Sequence, residues 1–190
     1  SMIAVEIQET FFTAMKVAFF AGFIISLPVI FWQLWLFLAP GLYDHEKKLV
    51  VPFVFFATLM FLLGASFAFF IVVPIGFDFL IAFGNSVVSV LPSIGKYVGF
   101  FTKLLIGFGI AFELPVITFF LAKIGLVNDQ MLKDFFRYAV VLIFIVAAVL
   151  TPPDVISQVL MAAPLLILYG VSIYIAKVFN PAQKEEEEED

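Results

Sequence analysis

Cysteine is absent from the chain, and histidine occurs once, as His45. Disulfides and thiolate metal sites are therefore excluded. A single imidazole also leaves a histidine-based metal centre or a Ser-His-Asp triad without support. No glycine-rich phosphate loop is present. With no nucleophile–base pair and no metal cluster, neither an enzyme nor a cofactor is expected. Charge is scarce as well: 13% of residues are charged, where a soluble domain carries about a quarter. The net charge of -5 is misleading, because Glu185 to Asp190 supply six negative charges and the rest is nearly neutral. Residues 181–190 read as a solvated, disordered acidic tail. No nucleic-acid partner is expected.

What fills the chain is apolar. Hydrophobic residues make up 64% of it, and the mean hydropathy is +1.16. The apolar runs are long and continuous, which implies helices that cross a bilayer rather than the alternating strands of a barrel. The expected fold class is all-α, a polytopic membrane protein with one membrane domain over residues 1–180. Spans are expected at about 17–37, 49–77, 98–121, 138–150 and 155–176. Lys16 borders the first, Pro28 is expected to bend it, and Trp32 and Trp35 mark its far interface. The second is roughly nine residues longer than the ~20 a crossing needs, so it must tilt or bend, with Pro52, Gly64 and Pro74 offering places to do so. Residues 81–97 read as a loop packed on the membrane face. Between Lys123 and Arg137 lies a polar connection, with a helix start at Asn128 or Asp129. The fourth span, 13 residues long, is short for a crossing. Thr151-Pro152-Pro153-Asp154 then breaks the helix and makes a tight hairpin with the fifth.

The loop at 39–48, the connection at 122–137 and the segment from 177 onward fall on one side. They hold Lys47, Lys48, Lys123, Lys133, Arg137, Lys177 and Lys184, against Lys16, Lys96 and Lys103 elsewhere. That excess assigns the first group, and the C-terminus, to the cytoplasm. Five spans would then leave the N-terminus outside. Residues 1–10 read as the end of a loop, with no signal-peptide pattern, so one earlier span is expected to precede them.

Few polar side chains stand out against this background. Glu113 lies mid-span, where a carboxylate costs roughly 2.5–3.5 kcal/mol on insertion scales. It reads either as a contact for a partner helix or a proton site, or as a carboxyl donating internally to a carbonyl freed by Pro115. Gln158, with Ser157, reads equally well as internal glue between helices or as a partner contact. Thr151 to Asp154 reads as a turn, with Asp154 able to cap the fifth span. Glu46, beside Lys47 and Lys48, reads as a solvated patch or as a carboxylate for a partner arginine. Phe37 could support an apolar neighbour of that arginine or make ordinary lipid contact.

Residues 28–48, Pro-Val-Ile-Phe-Trp-Gln-Leu-Trp-Leu-Phe-Leu-Ala-Pro-Gly-Leu-Tyr-Asp-His-Glu-Lys-Lys, resemble the signature of the TatC family, receptor subunits of the twin-arginine protein translocase. Three further stretches agree in order: Phe108 to Pro115, Leu150 to Asp154, and Ser157-Gln158 with Pro164. The resemblance implies six membrane helices in a cupped-hand arrangement, of which five are present, in a bacterial inner membrane. It implies recognition of twin-arginine signal peptides on folded cargo, proton-motive-force-driven export, and a multimeric complex with single-span TatA and TatB subunits. It places Phe37 and Glu46, with Pro40 and Tyr43 of the same run, at signal-peptide recognition. It places Glu113 at the buried acid facing the concave side, Thr151 and Gln158 in the region used by partner helices, and Asp154 in the outer turn. The family's leading cytoplasmic segment and first helix have no counterpart here, and Gly170 stands where many relatives carry an acid. A small proton-coupled secondary transporter using Glu113 is the alternative, although no inverted repeat is apparent.

Overall fold

The computed structural model describes residues 6–38, 50–85, 93–151 and 155–180. All regular structure among them is helical: α1 (Glu9–Leu38), α2 (Val50–Phe67), a π-helical turn (Ala68–Val72), α3 (Val73–Asn85), α4 (Ile94–Lys123), α5 (Asp129–Leu150) and α6 (Val155–Phe179). Among the described residues four stretches are long and apolar enough to cross a bilayer, Glu9–Phe37, Val50–Phe79, Ile94–Lys123 and Gln158–Phe179, and α5, which holds the expected short span 138–150, is not one of them. The chain is a multi-pass membrane protein.

Helices run beyond their expected spans, and α3, reaching Asn85, and α4, starting at Ile94, take in both ends of the stretch 81–97 that reads as a loop in the sequence. A helix does not stop where its apolar stretch stops. α1 starts at Glu9, eight residues ahead of the expected Val17. α5 covers 22 residues because it continues through the charged stretch 129–137. Asn128 is its N-cap, accepting from the Met131 N–H at 2.8 Å, and so satisfies one of the unpaired donors of the first turn. Gln130 donates to Asp134 one turn on, and Lys133 pairs with Asp129. Only the Tyr138–Leu150 half of α5 is uniformly apolar.

The expected bend in the second span takes a specific form. Pro74 has no N–H to donate backward. Just before it, the Val73 N–H bonds to the Ala68 carbonyl, five residues back, and the helix widens into the π turn. Such turns recur where a helix must absorb an irregularity.

α4 is the axis of the bundle. It packs against α1, α2 and α6, and Leu104, Leu105, Phe108, Val116 and Phe120 on it are buried. With lipid tails as apolar as leucine, close backbone approach and shape matching hold such helices together. The α2–α4 crossing uses glycine on both sides. A β-carbon at Gly64 would stand 2.5 Å from the Phe108 carbonyl oxygen, and one at Gly109 would stand 2.6 Å from the Phe61 ring. Aromatic rings fill the space towards α1: Trp35–Phe53 and Phe53–Phe120 centroids both lie 5.0 Å apart.

α5 and α6 form the hairpin that the proline break foretells. The Gln158 amide donates to the Phe144 carbonyl at 3.0 Å, and the Tyr169 hydroxyl donates to the Leu132 carbonyl at 2.8 Å. Beyond α6, buried Asn180 donates to the Val127 carbonyl at 3.0 Å, which ties the chain to the α4–α5 turn.

Candidate binding grooves and polar residues

The helix arrangement leaves open grooves along two sides of α4. On one side, between α1, α2 and α4, lies a groove of about 400 Å³ lined by Phe31, Trp35, Phe53, Glu113 and Ile117. It extends to Ile124 and Leu126, just past the end of α4. On the other side, α2, the π turn, α3, α4 and α6 enclose a groove of about 380 Å³ that includes Phe67, Val72, Phe112, Thr151 and Pro164.

Glu113 reaches the first groove because of its register on α4. It lies one turn beyond Gly109, which seats the Phe61 ring, so the carboxyl follows the α2-facing side of the helix. It is only 6% exposed, and its Oε1 has no hydrogen-bond partner among the described residues. Apart from the Trp35 indole, no other polar side chain among the described residues lines that groove. A polar atom held this way in apolar surroundings costs several kcal/mol unless something meets it. The groove thus offers an apolar wall of aromatic rings with one carboxyl set in it, suited to an apolar segment bearing a hydrogen-bonding group.

Thr151 and Gln158 lie elsewhere. Thr151 is buried, and its hydroxyl donates to the Ala147 carbonyl at 2.8 Å, so it closes α5 from within the second groove. Gln158 is half-buried and ties the α5–α6 hairpin through Phe144. Packing puts Glu113 and Thr151 in different grooves. Phe37 stands in the last turn of α1 and is 82% exposed, directed away from the core that Trp35 enters. Pro40, Tyr43, Glu46 and Asp154 lie outside the described residues, as does the acidic tail, 181–190.

One residue escaped sequence reasoning. Glu9, taken with the loop before the first span, opens α1, and its carboxylate accepts from the Ser93 hydroxyl and the Gly95 N–H at the start of α4. An acid in the first turn of a helix is a recognisable signal. Its partners, more than eighty residues away, are not.

The profile described as "Sec-independent protein translocase protein (TatC)" matches residues 1–164. The chain belongs to the TatC family. The TatC protein of Campylobacter jejuni is 60% identical over 187 residues, which is 98% of this chain and 76% of that protein. The TatC protein of Helicobacter pylori strain J99 is 54% identical, over 98% of this chain and 75% of that protein. A crystal structure described as the twin-arginine translocase receptor TatC in DDM superposes with a TM-score of 0.84 at 40% identity, over 93% of this chain and 79% of that one. The resemblance carried by residues 28–48 thus extends over nearly the whole chain, and TatC membership makes this a protein-transport component of the twin-arginine translocase. Between the two readings left open by the sequence, translocase and proton-coupled transporter, it decides for the first. In this TatC-family chain the two grooves flank the helix that carries Glu113.

Proposed function

We propose that the chain receives twin-arginine signal peptides through the loop at 39–48 and the groove holding Glu113. The Glu46 carboxylate pairs with an arginine of the peptide, a charge-assisted and often bidentate contact that lysine reproduces poorly. Phe37, Pro40 and Tyr43 flank that contact. The apolar body of the peptide, or of a single-span partner helix, lies against the aromatic wall of the groove and brings a hydrogen-bonding group to Glu113. The observation that carries this reading is the buried Glu113 Oε1 without a partner in an open apolar groove. That groove reaches the same end of the bundle at which α1 ends, at Leu38.

On this reading the loop at 39–48 and the C-terminus face the cytoplasm of a bacterial inner membrane. Folded cargo follows its signal peptide, and TatA- and TatB-type subunits complete a multimeric complex driven by the proton-motive force. Thr151 and Gln158 serve the partner helices on the α6 side, and Asp154 lies in the outer turn.

The test is equilibrium binding of a labelled twin-arginine signal peptide to the full-length protein in nanodiscs. A hydrogen bond to a charged group contributes about 1.5–3 kcal/mol, so Glu46→Gln is expected to weaken binding roughly tenfold or more. A twin-lysine peptide should bind the unaltered protein about as weakly. Affinity indifferent to both changes sinks the loop as the arginine-reading element.

A further inference from the structure

α1 and α4 both begin at the end of the bundle opposite Leu38 and Val50, and Glu9 joins them there. Its Oε1 accepts from the Ser93 hydroxyl and from the Gly95 N–H, the latter at 2.8 Å, while its Oε2 faces the Glu6 N–H at 3.4 Å. One carboxylate thereby serves donors ahead of α1 and at the first turn of α4, where helix N–H groups lack intrahelical partners and the helix dipole favours negative charge. The fit depends on glycine. A β-carbon at Gly95 would stand 2.7 Å from Glu9 Oε1 and 3.0 Å from its Cγ.

This contact matters because α1 is otherwise lightly held. Within its most apolar window 11% of residues are buried, against 50% for α4. The seam between the two helices is open above and below its middle. Nearer Glu9 it forms a groove lined by Phe12, Phe19, Phe23, Thr102 and Ile106. Further along lies the groove that holds Glu113. A helix held mainly by a few apolar contacts and a polar clip at one end can swing when the clip opens.

We infer that Glu9 is a latch: its bonds to Ser93 and Gly95 set the separation of α1 from α4, and with it the width of the groove in which Glu113 sits. Releasing the latch lets α1 turn about its contacts with α2 and widens the seam. The device belongs to the helix pair and operates whichever group meets Glu113, so it stands apart from the peptide-binding proposal.

The absence of cysteine makes the test clean, since introduced cysteines are the only ones in this part of the protein. In full-length protein in nanodiscs, spin labels at Phe19→Cys and Ile106→Cys report the α1–α4 distance across the outer groove. Labels at Phe56→Cys and Phe119→Cys report α2–α4 as a reference. Glu9→Ala removes the carboxylate, and Gly95→Ala displaces it from the other side while leaving it intact. Both should lengthen and broaden the α1–α4 distance distribution by several ångström and leave the α2–α4 distribution in place. Glu9→Gln, which keeps an acceptor oxygen, should preserve most of the native α1–α4 distance. An unchanged α1–α4 distribution in Glu9→Ala and Gly95→Ala overturns the latch. So does equal broadening of both pairs, which would make Glu9 a determinant of the whole bundle rather than a latch on α1.

Discussion

Gly64→Ala puts the central crossing of the bundle under direct stress. The added β-carbon would meet the Phe108 carbonyl oxygen at 2.5 Å and the Phe112 Cβ and Cγ at 2.9 Å. Ordinary van der Waals contact begins at 3.4 Å, so the backbone contact falls short by roughly 0.9 Å, well inside the repulsive wall. No flexible tip can yield, because the nearest atom belongs to the main chain of α4. The helices must part, and parting strips contacts from Phe61 and Phe108, both almost completely buried at the same crossing. Overpacking of this kind costs about 1–3 kcal/mol. In a bilayer, where close packing and not hydrophobic burial joins helices, little offsets it. Gly22→Ala is the matched control, since a β-carbon there meets nothing within 4 Å. In a helix interior that exchange is favourable by up to about 1 kcal/mol. Reversible unfolding of the two variants in mixed micelles should separate them in opposite directions from the parent. If Gly64→Ala is as stable as Gly22→Ala, α2 and α4 do not cross where they are placed here.

Further expectations follow from single contacts. Asn128→Ala removes the N-cap of α5 and should cost about 1 kcal/mol, seen as a lower unfolding midpoint and faster amide exchange confined to the first turn of α5. Gln158→Leu loses the bond to the Phe144 carbonyl; interhelical side-chain bonds in membranes average ~0.6 kcal/mol, so unfolding should shift only slightly, while crosslinking to partner subunits should drop if Gln158 also meets a partner helix. Tyr169→Phe leaves the ring in place and removes the hydroxyl from the Leu132 carbonyl. A loss of about 0.5–1.5 kcal/mol is expected in the same unfolding assay, and no loss at all would mean that water or another donor takes its place.

Much of this architecture can be read from the sequence because the bilayer allows so few solutions. Continuous apolar runs had to be helices, and the α5–α6 hairpin followed from Thr151 to Pro153. Helix ends were less legible, since α1 and α5 continue through charged residues once their first backbone donors are met, by the Glu6 and Gln8 carbonyls in α1 and by the Asn128 side chain in α5. Pro74 announced an irregularity, but not that it would take the form of a π turn, which depends on how α2 and α3 both pack on α4. At the candidate sites, chemistry singled out Glu113 and Gln158 as polar side chains in apolar surroundings, whereas Thr151 read as part of a turn and entered only through the family resemblance. That Glu113 and Thr151 line different grooves while Gln158 lines neither depends on the rotation of α4, α5 and α6 about their axes, which no local pattern specifies. The Glu9–Ser93–Gly95 contact was invisible for a similar reason: it joins two helix starts brought together only by the fold.

The central claim is that the loop around Glu46 reads the arginine pair of a signal peptide, and site-specific photocrosslinking tests it most directly. A crosslinker placed at Phe37 or Tyr43 of the full-length protein is exposed to a twin-arginine signal peptide, in parallel with a twin-lysine peptide and with Glu46→Gln. Strong crosslinks to the twin-arginine peptide, lost on either change, are expected. Crosslinks that persist undiminished through both would contradict the claim, leaving the loop a neighbour of the peptide and not its reader.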